Sequence, residues 1–464
     1  MKLKTLLKNK TLILSVLLSI TAYHSLACKN MCVIGAGYVG LIAGSKFAQM
    51  GNNVICTDIS QSKINDLNNG IKPIFEPGLQ AIVKEGMHQE KLFFTTDVEH
   101  AIQTADIIIV AVGTPMGKDG SSNISALINV IETIAKNMQG YTVICIKSTV
   151  PIGTNKNVLL QLDEHCAPGA LYDLVFNPEF LREGSALKDF SINPIVLGSN
   201  SQKALDIMTE LYSPLIERGC PLVHTDLTTA EAFKYTWNSF RMTRIMFVNE
   251  LACLCNTVGA DIETLVTSMS MSEQSMPTKN LKPGPGIGGS CFPKDSRALA
   301  HTARKVGERF CILEAVIKAD QLHKQKMITT IYDLMDNNVR GKKVAIWGLS
   351  FKANTDDIRD SVAIKIIKKL LGNGAIIQAY DPQAMKNMHA LIPDICYCTC
   401  AEKALEDADI LVIVTEWQEF THVDLKTIKS KMRQPIIMDT RNLLNPLQVK
   451  NSGFTYVDLG RKHY

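Results

Sequence analysis

The stretch Met31-Cys32-Val33-Ile34-Gly35-Ala36-Gly37-Tyr38-Val39-Gly40 decides the class of fold to which this chain belongs. It predicts a short buried strand, a glycine-rich turn and the start of a helix that continues to about Met50. Gly35 permits the tight turn, Gly37 leaves room for a phosphate group at the helix N-terminus, and Gly40 lets the helix pack closely on the strand. The stretch is therefore typical of a dinucleotide-binding βαβ unit.

An acidic residue follows this turn at the distance that dinucleotide recognition requires. The next apolar strand runs from Asn53 to Cys56, and Asp58 lies 23 residues after Gly35. A carboxylate at this position accepts hydrogen bonds from the ribose hydroxyls and repels a 2′-phosphate. We therefore expect NAD rather than NADP as the cofactor.

The same order of strand, turn and helix recurs along the chain. Apolar strands are predicted at Asp106 to Val112 and Thr142 to Lys147, and the pattern returns at Lys343 to Gly348 and Ala375 to Tyr380. Such alternation indicates parallel sheets with helices on both faces. Between the two halves, Ala230 to Val258 has long helical periodicity without Gly or Pro.

We therefore predict an α/β protein with two doubly wound Rossmann-like domains joined by a long central helix. The central helix is apolar enough to pack against a second copy of the chain. The expected divisions are a leader or N-terminal extension (1–28), an NAD-binding Rossmann domain (29–225), a central helical dimerisation domain (226–326) and a second Rossmann-like domain (327–464).

Composition excludes several classes of protein. With 464 residues, the chain exceeds the usual size of a single hydrophobic core, and 46% hydrophobic with 20% charged residues is ordinary for a globular protein. The net charge of +4 includes no block of Lys and Arg, so nucleic acid is not an expected partner. The 13 cysteines are thinly scattered, which favours reduced thiols. No second Cys/His pair follows Cys253/Cys255 or Cys396/Cys398/Cys400 at zinc spacing, so no metal site is predicted.

The N-terminus has the pattern of a secretory signal. Four lysines precede an apolar run from Leu12 to Ile20, and the small residues Ser25 and Ala27 stand just before Cys28. The run is too short to span a bilayer comfortably. Export, membrane tethering and a simple upstream extension are alternatives. Because the rest of the chain needs a cytosolic dinucleotide and a reduced thiol, we expect a cytoplasmic protein without membrane contact apart from this segment.

A second informative stretch is Gly286-Ile287-Gly288-Gly289-Ser290-Cys291-Phe292-Pro293-Lys294-Asp295. Glycines ahead of Cys291 allow a ligand to approach the backbone. Lys294 is expected to hold the thiol as a thiolate, and Asp295 to orient a water molecule. These flanking residues favour a nucleophilic cysteine over a buried structural one.

Further candidates lie on the central helix and at strand ends. Lys234 and Asn238 are four residues apart and share one helix face, where they form a donor pair suited to an alkoxide. A solvated polar face is the alternative, but the neighbouring residues are apolar and aromatic, which favours a pocket. In the C-terminal domain, Gly348 to Lys352 and Asp356 to Arg359 supply a turn and cations for a second phosphate-bearing ligand.

Taken together, these strings resemble the UDP-glucose/GDP-mannose 6-dehydrogenase family from about Asn30 to Arg461. The glycine turn, Val112 to Pro115, Asn177 to Gly184, Gly288 to Asp295 and Gly348 to Arg359 occur in the family's order. The resemblance implies an NAD-dependent, four-electron oxidation of the C6 alcohol of UDP-glucose to a carboxylate. It also implies a homodimer through the central helix and UDP-sugar binding by the domain 327–464.

The resemblance further implies the roles of single residues. Cys291 adds to an aldehyde, and the thiohemiacetal is oxidised to a thioester. The implied catalytic residues are Cys291, Lys234, Asn238, Asp295, Glu179 and Thr149. The implied NAD contacts are Gly35, Gly37, Tyr38, Val39, Gly40, Asp58, Lys63, Thr114, Thr149, Glu183, Lys294 and Arg359. The implied sugar-nucleotide contacts are Glu179, Phe180, Leu181, Arg182, Glu183, Lys234, Asn238, Asn280, Leu281, Lys282, Pro283, Gly284, Gly288, Lys352 and Arg441.

Two other functions are alternatives. A GDP-mannose 6-dehydrogenase would use the same cysteine chemistry. The stretches Asp439 to Asn442 and Cys291 to Asp295 favour UDP-glucose as the substrate. In contrast, the family's usual Pro-Asp-Arg is replaced by Ser191 to Pro194, which points slightly away from UDP-glucose. A catalytically silent nucleotide-sugar binding protein is the second alternative, although such a protein would not need the whole set of predicted catalytic residues.

Overall fold

The structure is a computed structural model that describes residues 28–71, 74–272 and 281–462. The predicted leader, apart from Cys28, and the predicted sugar contact Asn280 lie outside these ranges. Within them, no helix combines the length and apolar character needed to cross a membrane.

Eight strands of the described chain form the first sheet. They are β1 (Asn30–Ile34), β2 (Asn53–Thr57), β3 (Leu92–Thr95), β4 (Ile107–Val110), β5 (Tyr141–Ile146), β6 (Leu171–Phe176), β7 (Ile195–Gly198) and β8 (Leu222–Thr225). Their order across the sheet is β3-β2-β1-β4-β5-β6-β7-β8, the arrangement of a doubly wound fold. The flanking helices are α1 (Tyr38–Gln49), α2 (Gln61–Asn68), α3 (Leu79–His88), α4 (Val98–Gln103), α5 (Ser125–Asn137), α6 (Thr154–His165), α7 (Ala186–Ile192) and α8 (Gln202–Ile216).

One strand pair departs from the predicted parallel arrangement. β6 and β7 are antiparallel and meet at a single pair, Phe176 and Gly198. The connection between them stays at the carboxyl edge of the sheet, so β7 starts from that edge and runs back. This connection is the stretch that carries residues 177–185 of the candidate site.

The second sheet has six parallel strands within the described residues. They are β9 (Lys343–Trp347), β10 (Ile376–Tyr380), β11 (Cys396–Tyr397), β12 (Ile410–Ile413), β13 (Ile436–Asp439) and β14 (Thr455–Val457), in the order β11-β10-β9-β12-β13-β14. The associated helices are α13 (Val362–Leu371), α14 (Met385–Leu391), α15 (Leu425–Lys431) and α16 (Pro446–Asn451), with short 3₁₀ turns at Lys403–Leu405 and Gln418–His422.

Along the described chain, four helices separate the strands of the first sheet from those of the second: α9 (Leu227–Val258), α10 (Ile262–Ser272), α11 (Phe292–Lys305) and α12 (Cys311–Asp333). Helix α9 contributes to the cores of both domains. Leu227 and Ala230 at its start pack in the core of the first sheet, whereas Val248 and Ala252 near its end pack in the core of the second. The predicted fold class is therefore confirmed: two Rossmann-like domains share one long helix.

The glycine turn has the geometry that the sequence predicts. Gly35 has φ of 101°, and a Cβ atom there would lie 2.7 Å from the carbonyl oxygen of Ala111, the residue that follows the neighbouring strand β4. A Cβ atom at Gly40 would lie 1.9 Å from the carbonyl oxygen of Gly35. Helix α1 therefore packs directly on the turn because neither position carries a side chain.

Candidate active site

A cavity of about 440 Å³ lies between the two domains and beside α9. Its walls come from the loop after β6, one face of α9, the loop that leads into α11, and the loops after β9, β12 and β13. Such a cavity is large enough to enclose a small organic ligand. The predicted residues that line it are Phe180, Leu181, Arg182, Glu183, Lys234, Asn238, Lys282, Pro283, Gly284, Gly288, Cys291, Lys352 and Arg441.

The buried pair of Lys234 and Glu179 forms one end of the site. The ammonium group of Lys234 donates to the Glu179 carboxylate at 2.8 Å and to the Glu179 carbonyl oxygen at 2.5 Å. The second carboxylate oxygen accepts from the backbone N–H of Leu181 at 2.6 Å. Burial disfavours the charged form of each group, but their pairing outweighs it, so the pKa of Glu179 is lowered and the pKa of Lys234 is raised.

Asn238 and Asp295 meet one helical turn further along α9. The amide of Asn238 donates to Asp295 at 2.6 Å, and the second Asp295 oxygen accepts from the Lys294 ammonium group at 2.5 Å. Asp295 is only 1% exposed and lies in the first turn of α11, where the helix dipole favours a carboxylate.

Cys291 is the residue immediately before α11, and its half-buried side chain lines the cavity. Burial, together with the carboxylates of Glu179 and Asp295, raises the pKa of its thiol to about 11, although the Lys234 ammonium group and the Ser290 hydroxyl act in the opposite direction. The expectation that Lys294 holds the thiolate is wrong. Lys294 pairs with its neighbour Asp295, and the cation that favours the thiolate is Lys234.

The glycine turn and the strand ends beside it form the predicted cofactor side. The carboxylate of Asp58 accepts from Lys63 at 2.6 Å and from the backbone N–H of Ala36 at 3.1 Å, so it stands next to the turn. The hydroxyl of Thr114 donates to the carbonyl oxygen of Thr149 at 2.7 Å, which joins the loops after β4 and β5.

The start of α1 fits a dinucleotide phosphate. A Cβ atom at Gly37 would meet nothing within 4 Å in the described structure, and no side chain caps this helix N-terminus. Its N–H groups therefore face open space with Tyr38 and Val39 in the first turn. The Tyr38 hydroxyl donates to the buried Glu76, which also accepts from the backbone of Gly184 and thereby links this turn to the loop after β6.

Cations converge at the opposite end of the cavity. Burial lowers the pKa of Lys352 despite the nearby carboxylates of Glu183 and Glu416. Arg441 donates to the carbonyl oxygens of Val414 and Phe351, both at 2.7 Å, and contacts Glu416 at 3.0 Å.

Two further predicted sugar-nucleotide contacts, Arg182 and Leu281, have different surroundings. Arg182 makes a two-point contact with the fully buried Asp189, at 2.6 and 2.9 Å, and it lines the cavity. Leu281 is buried in the core of the second domain rather than in the cavity wall.

Sequence reasoning missed several lining residues, and Arg241 is the most informative. It lies three residues after Asn238 and seven after Lys234, so it shares their helix face. Its guanidinium carbon is 5.8 Å from the ring centre of Phe292. That spacing could have identified it. Trp237, three residues after Lys234, carries the same signal. No comparable local signal marks Phe351 or Glu416, which reach the cavity through tertiary packing.

Comparison with known proteins agrees with this geometry. Residues 29–216 match the NAD binding domain of the UDP-glucose/GDP-mannose dehydrogenase family, residues 228–321 its central domain and residues 345–446 its UDP binding domain. The chain belongs to the UDP-glucose/GDP-mannose dehydrogenase family. This dehydrogenase therefore uses NAD, and its three matched segments cover most of the first sheet, of the central helices and of the second sheet.

Individual relatives cover nearly the whole chain. The chain is 40% identical to UDP-glucose 6-dehydrogenase TuaD of Bacillus subtilis over 435 residues, which is 93% of each protein. It is 40% identical to a UDP-glucose 6-dehydrogenase of Rhizobium meliloti over 93% of this chain and 99% of the relative. A solved UDP-glucose dehydrogenase of Pyrobaculum islandicum superposes with a TM-score of 0.86 at 28% identity, covering 95% of this chain and 99% of the other.

Proposed function

We propose that this dehydrogenase oxidises the C6 hydroxyl of UDP-glucose to a carboxylate in two steps through a covalent intermediate on Cys291. The observation that carries the proposal is the position of Cys291, which lines the same cavity as Lys234 and Asn238, while Asp295 accepts a hydrogen bond from Asn238. A purely binding site has no use for a nucleophile beside two carboxylates and an ammonium group. Bound NAD supplies the hydride acceptor for both oxidations.

In the first step the C6 hydroxyl loses its proton and C6 loses a hydride, which gives an aldehyde. Asp295 takes the proton through a water molecule that Thr149 also holds. Lys234 and Asn238 present N–H donors from one helix face to the developing alkoxide.

In the second step the Cys291 sulfur bonds to the aldehyde carbon, and the resulting thiohemiacetal loses a second hydride to become a thioester. Water then attacks the thioester carbon, the carbon–sulfur bond breaks, and Glu179 assists by accepting a proton from that water. One UDP-glucose and one water therefore yield one UDP-glucuronate carboxylate, two hydrides that carry the four electrons, and three protons.

We also propose that two copies pair through α9 and that the enzyme works in the cytoplasm. Phe240, Phe247 and Leu254 recur every seven residues on α9, and they are 62, 59 and 55% exposed. A repeated apolar stripe of this kind is typical of a helix that packs against a partner. The cytoplasm supplies NAD and keeps Cys291 reduced.

The yield of NADH per nucleotide sugar tests the reaction. Limiting UDP-glucose should give two NADH per molecule, and one NADH would overturn the thioester route. Initial rates with UDP-glucose and GDP-mannose at equal concentration test the substrate. A higher kcat/KM for GDP-mannose would overturn the choice of UDP-glucose.

Cys291→Ser tests the covalent step. Formation of the acid should fall on the order of a thousandfold or more, because serine forms no thioester, while UDP-glucose binding measured by calorimetry persists. Cys166→Ser is the matched control, since Cys166 is also half-buried but lies outside the cavity. Acid formation at the wild-type rate by the Cys291→Ser variant would refute the mechanism.

A further inference from the structure

The proposed mechanism needs a group that removes the proton of the Cys291 thiol. The pKa of that thiol is raised to about 11, so the thiolate is scarce near neutral pH. The carboxylates of Glu179 and Asp295 have other tasks in the proposed mechanism, at the hydrolytic water and at the C6 hydroxyl, and they hydrogen-bond to Lys234 and to Lys294 and Asn238 respectively. In the described part of the chain, the recorded hydrogen-bond partner of the Cys291 sulfur is the hydroxyl of Ser290, at 3.4 Å.

The hydroxyl of Ser290 also reaches a third carboxylate. Its oxygen lies 3.5 Å from Oε1 of Glu183, which places thiol, hydroxyl and carboxylate in a continuous row. Contacts of this length are expected before a substrate closes the site. We propose that Ser290 and Glu183 form a proton relay that deprotonates Cys291 when its sulfur attacks the aldehyde, an inference that rests on the proposed function.

The transfer is balanced without any further reactant. The S–H bond of Cys291 breaks and its proton moves to the Ser290 oxygen, while the Ser290 hydroxyl proton moves to Oε1 of Glu183. The sulfur lone pair forms the bond to the aldehyde carbon, and the carbonyl electrons move to the oxygen that faces Lys234 and Asn238. Glu183 returns its proton to solvent before the next turnover.

The surroundings of Glu183 suit a proton acceptor. Burial and the neighbouring Asp357, which shares a hydrogen bond with it, raise the pKa of Glu183 well above its usual value, while Arg359 and the Thr355 hydroxyl act in the opposite direction. A carboxylate with a raised pKa is a stronger base than an exposed one and exchanges its proton closer to neutral pH. The charged and titratable groups that face the relay are Asp357 and Arg359 from the loop after β9, Lys352 from the same loop, Tyr38 from α1, and Glu179, Lys234 and Asp295 around the thiol.

Both domains contribute to the relay. Glu183 belongs to the first domain, but Thr355 donates to its Oε2 at 2.9 Å and Arg359 approaches its Oε1 at 3.4 Å from the second. The loop before Cys291 is held to the same region, because the backbone N–H of Gly289 donates to the carbonyl oxygen of Arg359 at 2.8 Å. The acceptor is therefore complete only when the second domain is docked on the first.

Alkylation of Cys291 tests the relay independently of turnover. Iodoacetamide is applied from pH 6 to pH 10, and modification at position 291 is followed by peptide mass spectrometry. Near pH 8 the wild-type protein should be modified at least tenfold faster than Glu183→Gln, because only an ionised Glu183 accepts the thiol proton through Ser290. At pH 10 hydroxide also removes that proton, so the two rates should approach each other. Equal rates for the two proteins near pH 8 would overturn the proposal.

Variants at Ser290 test the hydroxyl itself. Ser290→Ala should slow alkylation at pH 8 by about tenfold, because a hydrogen bond to the thiolate is lost, whereas Ser290→Thr keeps a hydroxyl and should stay within about twofold of wild type. Ser121→Ala is the matched control, since that hydroxyl also donates to a carboxylate, Asp119, but on the surface. Equal rates for Ser290→Ala and wild type would contradict the relay.

Turnover separates this proposal from the proposed function. With UDP-glucose, Ser290→Ala should slow the release of the second NADH of a single turnover at least tenfold more than the release of the first. A wild-type protein that gives no NADH would contradict the proposed function, and the alkylation profiles would still decide the relay. A variant that slows both NADH steps equally would contradict the relay alone.

Discussion

Lys234 supports the site both as a charge and as a fixed donor. Its side chain is 3% exposed, and its ammonium group pairs with Glu179 and lies 5.5 Å from the ring centre of Phe180. Two buried charges are tolerated only when they satisfy each other, so removing one leaves the other stranded in a medium of low polarity. The pair therefore fixes the loop after β6 to α9 as well as serving the chemistry.

Replacing one partner of this pair should cost more than replacing both. We expect Lys234→Met to lower the free energy of unfolding by about 3 kcal/mol and to reduce kcat by at least two orders of magnitude. The double variant Lys234→Met/Glu179→Leu should recover part of the stability but none of the activity. Urea unfolding and NADH formation measure the two effects, and a double variant less stable than the single one would contradict this account.

The buried Lys147 should make the stability of the protein depend on pH. Burial lowers the pKa of its ammonium group to about 8, and it donates to Asn177 at 2.8 Å. In the unfolded chain the pKa is about 10.4, so the unfolded state binds more protons between these values and stability rises with pH there. Relative to Lys147→Met, the free energy of unfolding of wild type should increase by about 2 kcal/mol from pH 8 to pH 10. If the free energies of unfolding of the two proteins change with pH in parallel, the pKa of Lys147 is not lowered in the folded state.

Helix α9 carries different functions on different faces. It has 32 residues, and so extends about 48 Å. One face brings Lys234, Asn238 and Arg241 to the cavity, and another exposes an apolar stripe. The same helix therefore connects catalysis, the two cores and the proposed pairing of subunits.

A charge in the middle of the stripe should separate the subunits. Phe247→Glu places a carboxylate where an apolar contact is proposed, and we expect the mass measured by light scattering to fall from that of a dimer to that of a monomer. Leu160→Glu is the control, because Leu160 is 64% exposed on α6 and away from the stripe. A dimer that survives the Phe247→Glu change would place the interface elsewhere.

The whole molecule functions as two domains closed over one cavity, and Gly184 lies where they meet. Its φ is 80°, and a Cβ atom there would lie 2.6 Å from the carbonyl oxygen of Asn354 in the second domain. Because the loop that contains Glu183 continues through this contact, the fit between the domains and the shape of the cavity depend on the same residue.

A methyl group at this contact should open the cavity. We expect Gly184→Ala to raise KM for UDP-glucose at least tenfold by pushing the second domain away, with about 1–3 kcal/mol lost in stability. Gly169→Ala is the matched control, because Gly169 has φ of 86° but nothing within 4 Å of a Cβ atom. If both variants raise KM equally, backbone strain rather than domain contact explains the effect.

Local patterns in the sequence determined the two Rossmann-like folds, the glycine turn, the long helix and the shared face of Lys234 and Asn238. These features depend on the side-chain periods of strands and helices and on residues close in the chain, so most predicted element boundaries fall within three residues of the observed ones. Only the tertiary structure decided that β7 runs antiparallel to β6, that Lys294 neutralises Asp295 rather than the thiol, and that Glu183 sits beside Asp357. Ion pairing, burial and pKa depend on which distant segments meet, and residues 183 and 357 meet only after both sheets have formed around α9.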